Sequence, residues 1–265
     1  MDNNIVLSVK NIRKEYVAKK HFITGKVQEK LVAVKNASFE VEEGKTLGIV
    51  GESGSGKSTT GEIVGGLQKP TFGAVFYYGK NTAEMSENEY EEYRRNVQFI
   101  FQDPKGSMDP NYRIKDNILF PLLTLKVVNT KKEADKLVSE ILKRVGLDES
   151  IKNKYPSEIS GGQCQRAAIA RALVVNPKVI VCDEPVSALD VSIQAQIINL
   201  LKELQNELKI SYIFISHDIG VVNYMSDTIL VMSKGNVVES GVAKEVFLHP
   251  KEAYTKKLID SAFIN

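Results

Sequence analysis

The chain has 265 residues, with 35 Lys and Arg against 33 Asp and Glu, so its formal net charge is +2. Apolar residues make up 43% and charged residues 26% of the sequence, which is ordinary for a folded protein and excludes disordered and fibrous classes. The near balance of charge gives no electrostatic signal for binding DNA, RNA or an anionic membrane surface. The length predicts one large domain or two small ones.

The sequence also argues against membrane insertion and export. Its longest strongly apolar stretch, Ile118–Leu125, is interrupted by Pro121 and Thr124, whereas a spanning helix needs about 18 apolar residues. The first residues show neither the basic nor the apolar segment of an export signal. Two cysteines, Cys164 and Cys182, are too few for a disulfide framework and are expected to act as small apolar fillers. We therefore expect a soluble, cytosolic, globular protein.

The first third of the chain has the patterns of β-strands. Apolar residues alternate or cluster near Leu7 and Val9, at 31–34, at 39–41 and at 45–50. The last of these runs fits a strand that is buried on both faces. The polar segment between Tyr16 and Leu31 is predicted to be a hairpin loop.

The rest of the chain alternates between helical and strand patterns. Apolar residues three and four apart predict a helix at Lys131–Val145, which Gly146 ends, and a second helix at Arg166–Val175. A third, longer helix is predicted from an apolar face made of Ile193, Ile197, Leu200, Leu204 and Leu208. Apolar runs predict strands at 179–182, 212–215 and 228–232. Strands that alternate with helices indicate an α/β fold with a largely parallel sheet. The mostly helical stretch 103–160 has the character of an insertion.

The segment Gly51–Ser58 matches the phosphate-loop pattern G-x-x-x-x-G-K-[ST], between a predicted strand and helix-compatible residues. Glycines let backbone N–H groups face phosphate oxygens, and the helix that begins there adds its positive end. Lys57 supplies a cation for the phosphates, and Ser58 a hydroxyl ligand for Mg²⁺. A chance match is expected only about 0.01 times in a chain of this length. The predicted nucleotide-binding residues here are Gly51, Glu52, Ser53, Gly54, Ser55, Gly56, Lys57, Ser58 and Thr59.

Two acidic residues, Asp183 and Glu184, follow the apolar run Val179–Cys182. The carboxyl end of a strand is where α/β sheets place their ligands. We expect Asp183 to hold Mg²⁺ or its water ligands, and Glu184 to accept a proton from the attacking water. Paired acidic residues after a strand also occur in ordinary loops. Their combination with the phosphate loop favours the functional interpretation.

The segment Ser160-Gly161-Gly162-Gln163, followed by Arg166, resembles the signature of ATP-binding-cassette (ABC) ATPases. The spacing of Ser160 and Gln163 is also that of a helix capping box, which only begins the next helix. The two interpretations are compatible, because a capped helix with an exposed N-terminus is able to face a phosphate. The resemblance implies that this phosphate belongs to ATP held by a partner cassette.

Other motifs of that family follow one another along almost the whole chain. Gln102 resembles the residue of the glutamine loop, and Asp190 closes a segment similar to the D-loop. His217 resembles the switch histidine, which is expected to contact the γ-phosphate. Tyr16 lies where such cassettes carry an aromatic residue that stacks on adenine. The resemblance implies Glu184 and His217 as catalytic residues, ATP and Mg²⁺ as cofactors, and Ser58, Gln102 and Asp183 as Mg²⁺ ligands.

The resemblance also implies a fold. We expect an α/β P-loop NTPase core of ABC type with a mixed sheet, an N-terminal antiparallel β subdomain and an inserted helical subdomain, together forming one ATPase domain. The expected parts are 1–102 for the β subdomain and the first part of the core, 103–162 for the helical subdomain, 163–240 for the second part of the core and 241–265 for a C-terminal tail.

Within the family, the chain is most similar to the ATPases of oligopeptide, dipeptide and nickel importers, through segments 51–54, 101–104, 182–192 and 217–222 and the tail at 248–256. This similarity implies a subunit that hydrolyses ATP to drive import, most readily of peptides. Import of nickel or another metal chelate is the alternative. A soluble ABC protein that acts on ribosomes or DNA and an inactive scaffold are further classes, disfavoured by the single phosphate loop and by the intact Glu184 and His217.

The same similarity implies partners. A second, homologous ATPase subunit is expected, in a heterodimer or else a homodimer, with two integral membrane permease subunits and, indirectly, an extracytoplasmic substrate-binding protein. No nucleic acid is expected as a partner. The expected location is the cytoplasmic face of the cell membrane, where the permease subunits hold the chain.

Overall fold

The computed structural model describes residues 4–20 and 27–262, and the chain divides into two compact units. The terminal unit runs up to Met85 and resumes at Ile213, whereas the middle unit is Ser86–Tyr212. The strands are β1 (Ile5–Lys20), β2 (Val27–Glu42), β3 (Thr46–Val50), β4 (Phe72–Tyr77), β5 (Lys80–Asn81), β6 (Val97–Ile100), β7 (Val179–Asp183), β8 (Ser211–Ser216), β9 (Thr228–Ser233) and β10 (Asn236–Val242). The helices are α1 (Lys57–Val64), α2 (Glu87–Asn96), α3 (Ile114–Thr124), α4 (Lys131–Arg144), α5 (Gly161–Leu173), α6 (Val191–Leu208), α7 (Ile219–Met225), α8 (Ala243–Leu248) and α9 (Ala253–Ala262).

In the terminal unit, the strands form a mixed sheet in the order β5-β4-β1-β2-β10-β9-β3-β8. The pairs β1/β2, β1/β4, β4/β5 and β9/β10 are antiparallel, whereas β3 and β9 are parallel. The predicted mixed sheet with an N-terminal antiparallel part is therefore confirmed. The expectation of a largely parallel sheet is wrong for this unit, because β1 and β2 form a hairpin, β4 pairs with β1 in antiparallel fashion, and β5 does the same with β4.

The hairpin of β1 and β2 is longer than the sequence predicts. Strand pairing continues from Tyr16 opposite Leu31 to Lys20 opposite Val27. The two ends of the predicted loop are therefore strand, because their backbone groups pair across the hairpin. The remaining loop residues, 21–26, lie outside the described residues.

Strand β3 is buried along all five residues, as its apolar pattern predicts. A Cβ built at Gly48 would lie 2.3 Å from both the Val222 Cγ1 and the Ser226 Oγ atoms, so α7 and the turn after it pack directly on this strand. The close packing fixes the carboxyl end of β3, which leads into the phosphate-loop segment.

In the middle unit, β6 and β7 pair in parallel, from Val97 opposite Val179 to Ile100 opposite Cys182. The predicted helix after Lys131 is confirmed as α4, and Gly146 follows it with a φ of +70°. The stretch 103–160 holds α3, α4 and short 3₁₀ turns but no strand, as predicted. The expected boundaries at 102, 162 and 240 stay a prediction.

Two predicted helices differ in detail from the structure. Helix α5 begins at Gly161, five residues before the predicted start, because Ser160 caps it. Helix α6 buries Ile197, Leu200 and Leu204 of the predicted face, whereas the outer members of that face are only half-buried.

Some elements gave no clear signal in the sequence. Helix α2 has the sequence ENEYEEYRRN and buries only Tyr93, so it lacks an apolar stripe. Its start is nevertheless well defined, because Ser86 and Glu89 form a capping box. The sequence patterns likewise do not predict strands β4, β5, β6 and β10 or helices α7, α8 and α9.

Both cysteines are fully buried, as expected for small apolar fillers. Burial raises the pKa of the Cys164 thiol to about 11. Burial likewise raises the pKa of Cys182, in β7, even further. No helix within the described ranges combines the length and the apolar character needed to cross a membrane.

Candidate nucleotide site

The phosphate-loop segment lies between β3 and α1 in the terminal unit. Gly51, with φ +155°, and Gly56, with φ +102°, adopt conformations that residues with side chains rarely adopt. A Cβ at Gly51 would lie 2.1 Å from the carbonyl oxygen of Met232, and one at Gly56 would lie 2.5 Å from that of Ala33. Both glycines are therefore required where the loop passes β9 and β2.

Helix α1 begins without a capping side chain. Its N-cap residue is Gly56, and its first turn contains no acidic residue. Helices α3 and α8 also begin without a capping side chain, whereas polar side chains cap α2, α4, α5, α6 and α7: Ser86, Thr130, Ser160, Asp190 and Asp218. In the described part of the chain, no capping side chain therefore competes with an anion at the positive end of α1.

The side chains of the loop also fit an anion. Lys57 is only 4% exposed, and its ammonium group donates hydrogen bonds to the carbonyl oxygens of Gly51 at 2.7 Å and Glu52 at 2.9 Å. The buried Ser55 hydroxyl has no hydrogen-bond partner in the described part of the chain. A ligand with several oxygen acceptors would satisfy such groups. The remaining predicted residues are exposed (Ser53, Gly54) or half-buried in the first turn of α1 (Ser58, Thr59).

Tyr16 is half-buried on β1, in the same unit as the phosphate loop. Its hydroxyl donates a hydrogen bond of 2.8 Å to Gln68 Oε1, and the Gln68 amide in turn donates to Glu62 on α1. The Lys14 ammonium lies 5.3 Å from the centre of the Tyr16 ring. These contacts hold the ring in place, and its contact with adenine stays a prediction.

His217 is exposed at the turn between β8 and α7, also in the terminal unit. The residues on either side of it are fixed by hydrogen bonds. The Asp218 N–H donates to Ser216 Oγ at 3.1 Å, and the Asp218 carboxylate accepts from the N–H groups of Gly220 and Val221. The capped start of α7 therefore sets the position of His217.

In the middle unit, Asp183 and Glu184 lie at the carboxyl end of β7, as predicted. Asp183 is the last residue of the strand and is only 7% exposed. Glu184 has a φ of +44°, a strained conformation for a residue with a side chain. Its carboxylate accepts a hydrogen bond of 3.0 Å from the Gln102 amide. The structure therefore brings Gln102 and Glu184 together.

The signature segment forms the start of α5, also in the middle unit. Ser160 Oγ accepts from the Gln163 N–H at 3.2 Å, and the Gln163 side chain accepts from the Ser160 N–H at 3.1 Å, so the predicted capping box is confirmed. A Cβ at Gly162 would lie 2.8 Å from Ile193 Cγ2 of α6, whereas one at Gly161 would make an ordinary contact of 3.5 Å with Leu189. Gly162 therefore allows α5 to pack closely against α6.

Asp190 caps α6. Its carboxylate accepts hydrogen bonds from the Ser192 hydroxyl at 2.8 Å and the Ile193 N–H at 3.0 Å. These hydrogen bonds hold the pKa of Asp190 below its ordinary value, and the bond from the Ser192 hydroxyl has the largest effect. The start of α6 is thereby fixed next to the signature segment, within the same unit.

One contact that sequence reasoning missed joins the segment after Gln102 to α5. The half-buried Arg171 guanidinium donates hydrogen bonds to the Ser107 carbonyl oxygen at 2.5 Å and to Ser107 Oγ at 3.1 Å. Burial lowers the pKa of this guanidinium. An arginine among alanines in a helical pattern would have been the only sequence signal for it. The contact ties the glutamine loop to the helix that carries the signature.

Comparison with known proteins identifies related sequences. A profile described as ABC transporter matches residues 34–187, more than half of the chain. The oligopeptide transport ATP-binding protein OppF of Haemophilus influenzae is 47% identical over 231 residues, which cover 87% of this chain and 70% of that protein. The dipeptide transport ATP-binding protein DppF of Lactococcus lactis subsp. cremoris is 46% identical over 231 residues, which cover 86% and 74%.

Solved structures agree with the sequence comparison. A dimeric ATP-binding cassette in a post-hydrolysis state bound to ADP and Pi has a TM-score of 0.78 and 34% identity, over 89% of this chain and 98% of that chain. CbiO1 of Clostridium perfringens, part of the ABC transporter complex cbiONQ, has a TM-score of 0.76 and 30% identity, over 99% and 96%. The fold is therefore that of the ABC-type P-loop NTPases, and the chain belongs to the ABC transporter family of ATP-binding proteins.

Proposed function

We propose that this chain is the ATP-binding and ATP-hydrolysing subunit of an importer for oligopeptides or dipeptides. The observation that carries ATP binding is the phosphate loop, in which the uncapped α1 and the buried Lys57 leave a site for an anion. Peptide import is supported by the relatives, which are named oligopeptide or dipeptide transport ATP-binding proteins.

In this proposal, the terminal unit binds the nucleotide. The backbone N–H groups of residues 51–59 and the Lys57 ammonium bind the phosphates. The N–H groups donate hydrogen bonds to phosphate oxygens, and the ammonium adds a full positive charge. Tyr16 stacks on adenine, and its hydrogen bond to Gln68 keeps the ring oriented. His217, fixed by the capped start of α7, contacts the γ-phosphate.

The candidate Mg²⁺ ligands fit the preference of that ion for oxygen. Asp183 offers a carboxylate that is already largely desolvated at the end of β7. Gln102 directs its amide N–H group at Glu184, so its amide oxygen is the atom suited to a cation. Ser58 offers a hydroxyl in the first turn of α1. When bound with ATP, Mg²⁺ would neutralise charge on the phosphate oxygens.

Glu184 is proposed as the general base. Its carboxylate accepts the proton of the water that attacks the γ-phosphorus, while the bond from that phosphorus to the bridging oxygen breaks and ADP leaves. The strained backbone at Glu184 and the hydrogen bond from Gln102 orient the carboxylate. Gln102 thereby links the γ-phosphate site to the helical segment after it.

A second cassette is proposed to complete each site. The capped start of α5, residues 160–163, exposes its positive end and would face the γ-phosphate of ATP held by the partner. Support comes from the dimeric state of the related cassette bound to ADP and Pi. The partner is a homologous subunit, in a heterodimer or a homodimer, and two permease subunits hold the pair at the cytoplasmic face of the membrane.

Reconstituted transport tests this proposal. The chain is co-expressed with its membrane and substrate-binding subunits, placed in vesicles, and assayed for uptake of a labelled tripeptide or a labelled nickel chelate. We expect uptake of the peptide that requires ATP and is lost in the Lys57→Ala variant. ATP-dependent uptake of the chelate alone would contradict peptide import, and co-purification with ribosomes instead of membrane subunits would contradict a role in transport.

A further inference from the structure

We propose that Tyr254, in the C-terminal helix α9, is a positioning residue that fixes one peptide group of the phosphate loop. This inference rests on the proposed ATP binding and adds a residue from outside the loop to it. The Glu52 N–H donates a hydrogen bond of 3.0 Å to the Tyr254 hydroxyl oxygen. The two residues are about 200 positions apart in the chain, yet both belong to the terminal unit.

The same peptide group holds the phosphate-loop lysine on its other side. The Gly51 carbonyl oxygen accepts a hydrogen bond of 2.7 Å from the Lys57 ammonium. Since a trans peptide is planar and its N–H and C=O point in opposite directions, fixing the N–H fixes the carbonyl. Tyr254 therefore sets the acceptor that holds Lys57, without touching the lysine itself.

Gly51 makes this anchor necessary. Its φ of +155° is open to glycine and costly for other residues, so the backbone before Glu52 has more conformational freedom than at other positions. A rotation of the Gly51–Glu52 peptide would remove the carbonyl oxygen from Lys57 and turn an N–H group toward the ammonium. The hydrogen bond to Tyr254 opposes that rotation.

The position of Tyr254 is itself well defined. The Glu239 carboxylate on β10 accepts hydrogen bonds from the N–H groups of Lys251 at 2.8 Å and Glu252 at 3.2 Å, directly before α9. Further along the helix, Thr255 and Ile259 are buried. The tyrosine is therefore carried by a docked helix, so that the C-terminal helix and the phosphate loop are coupled through one hydroxyl group.

The Tyr254→Phe variant of the full chain tests this inference, because it removes only the hydroxyl. One such hydrogen bond has a modest net worth, so we expect the Kd for a fluorescent ATP analogue to rise about two- to tenfold. In the complex with partner subunits, KM for ATP should rise by the same factor while kcat stays within about twofold. Hydrogen exchange at the Glu52 amide should be faster than in the wild type. Tyr112→Phe, at an exposed tyrosine before α3, is the matched control.

Unchanged ATP affinity and unchanged exchange at the Glu52 amide in Tyr254→Phe, with a wild-type melting temperature, would overturn the inference. Weaker ATP binding without faster exchange at Glu52 would overturn it as well, because the hydroxyl would then act by another route. A wild-type chain that fails to bind ATP would instead refute the proposed function itself. The two failures are therefore distinguishable in the same titration.

Discussion

The Gln102 amide donates a hydrogen bond of 3.0 Å to the carboxylate of Glu184. Gln102 begins the segment that leads into the helical part of the middle unit, and Glu184 follows the buried strand β7. A neutral amide holds this carboxylate without adding or removing a full charge. The pairing therefore joins two segments of the middle unit and orients the Glu184 carboxylate.

Replacement of Glu184 by Gln should remove the base while keeping the shape of the side chain. We expect ATP hydrolysis to fall about 10²- to 10⁴-fold, the usual range for loss of a general base. ATP binding should be retained, and a closed dimer with ATP should accumulate. The measurement is phosphate release by the complex, with Glu203→Gln on the exposed face of α6 as control. Hydrolysis at the wild-type rate would remove Glu184 from its proposed role.

Replacement of Lys57 by Ala should act on binding instead. The variant loses the cation of the phosphate loop. It also loses the hydrogen bonds that the Lys57 ammonium donates to the carbonyl oxygens of Gly51 and Glu52. We expect no measurable binding of ATP in a fluorescence titration at concentrations that saturate the wild type. The exposed Lys132→Ala is the matched control. If the affinity for ATP were unchanged, the phosphate-loop assignment would be wrong.

Removal of the Tyr16 ring tests its contact with adenine. Stacking of a base on an aromatic ring contributes about 1 to 3 kcal/mol, so Tyr16→Ala should raise the Kd for ATP about 5- to 150-fold. Binding of inorganic tripolyphosphate, which has no base, should not change. Tyr16→Phe keeps the ring and loses only the hydrogen bond to Gln68, so we expect a smaller effect. If Tyr16→Ala reduced the affinities for ATP and for tripolyphosphate equally, the Tyr16 ring would not stack on adenine.

The two signature glycines should differ in their tolerance of a methyl group. In Gly162→Ala, the added Cβ would lie 2.8 Å from a methyl carbon of Ile193, so α5 must shift away from α6. Such overpacking costs about 1 to 3 kcal/mol in free energy of unfolding. In Gly161→Ala the contact is an ordinary 3.5 Å, and we expect no loss. Urea unfolding of both variants checks the difference, and equal stabilities would contradict this packing.

Glu239 should make the docking of α9 dependent on pH. Burial raises the pKa of this carboxyl, but the hydrogen bonds that it accepts outweigh burial and hold its pKa below the ordinary value of 4.5. The folded state therefore favours the carboxylate, and this stabilisation is present above pH 4.5 and is lost as the pH falls through the lowered pKa.

Melting temperatures of the wild type and Glu239→Gln between pH 7 and pH 3 measure this effect. We expect the wild type to melt at a higher temperature near neutral pH and the difference to shrink in acid. The Glu203→Gln variant should follow the wild type at every pH. A difference that stays constant from neutral to acid pH would show that the charge of Glu239 plays no part.

The features that could be predicted from the sequence are those that neighbouring residues determine. The phosphate loop and the capping box at Ser160 depend on spacing within a few residues, so their patterns identify them directly. Continuous apolar runs likewise predict the buried strands β3 and β7.

The features that could not be predicted depend on distant residues or on backbone conformation. The contact of Tyr254 with Glu52 and that of Tyr16 with Gln68 each join segments that only the folded chain brings together. The left-handed conformation of Glu184 has no sequence signal, because the surrounding structure imposes it on a residue that disfavours it. Helix α2 could not be predicted from its apolar pattern, because it buries one side chain and has no apolar stripe.

The burial of both cysteines has a practical consequence for work on this protein. Cys164 and Cys182 are inaccessible thiols with raised pKa values, and they are the chain's two cysteines. Alkylating dyes and spin labels react with exposed thiolates, so the folded wild type should remain unlabelled. A single cysteine introduced on the surface, for example at the exposed Ala188 before α6, would then be the one thiol that reacts with the label. Distances between labels on two associated chains become measurable without first replacing native residues.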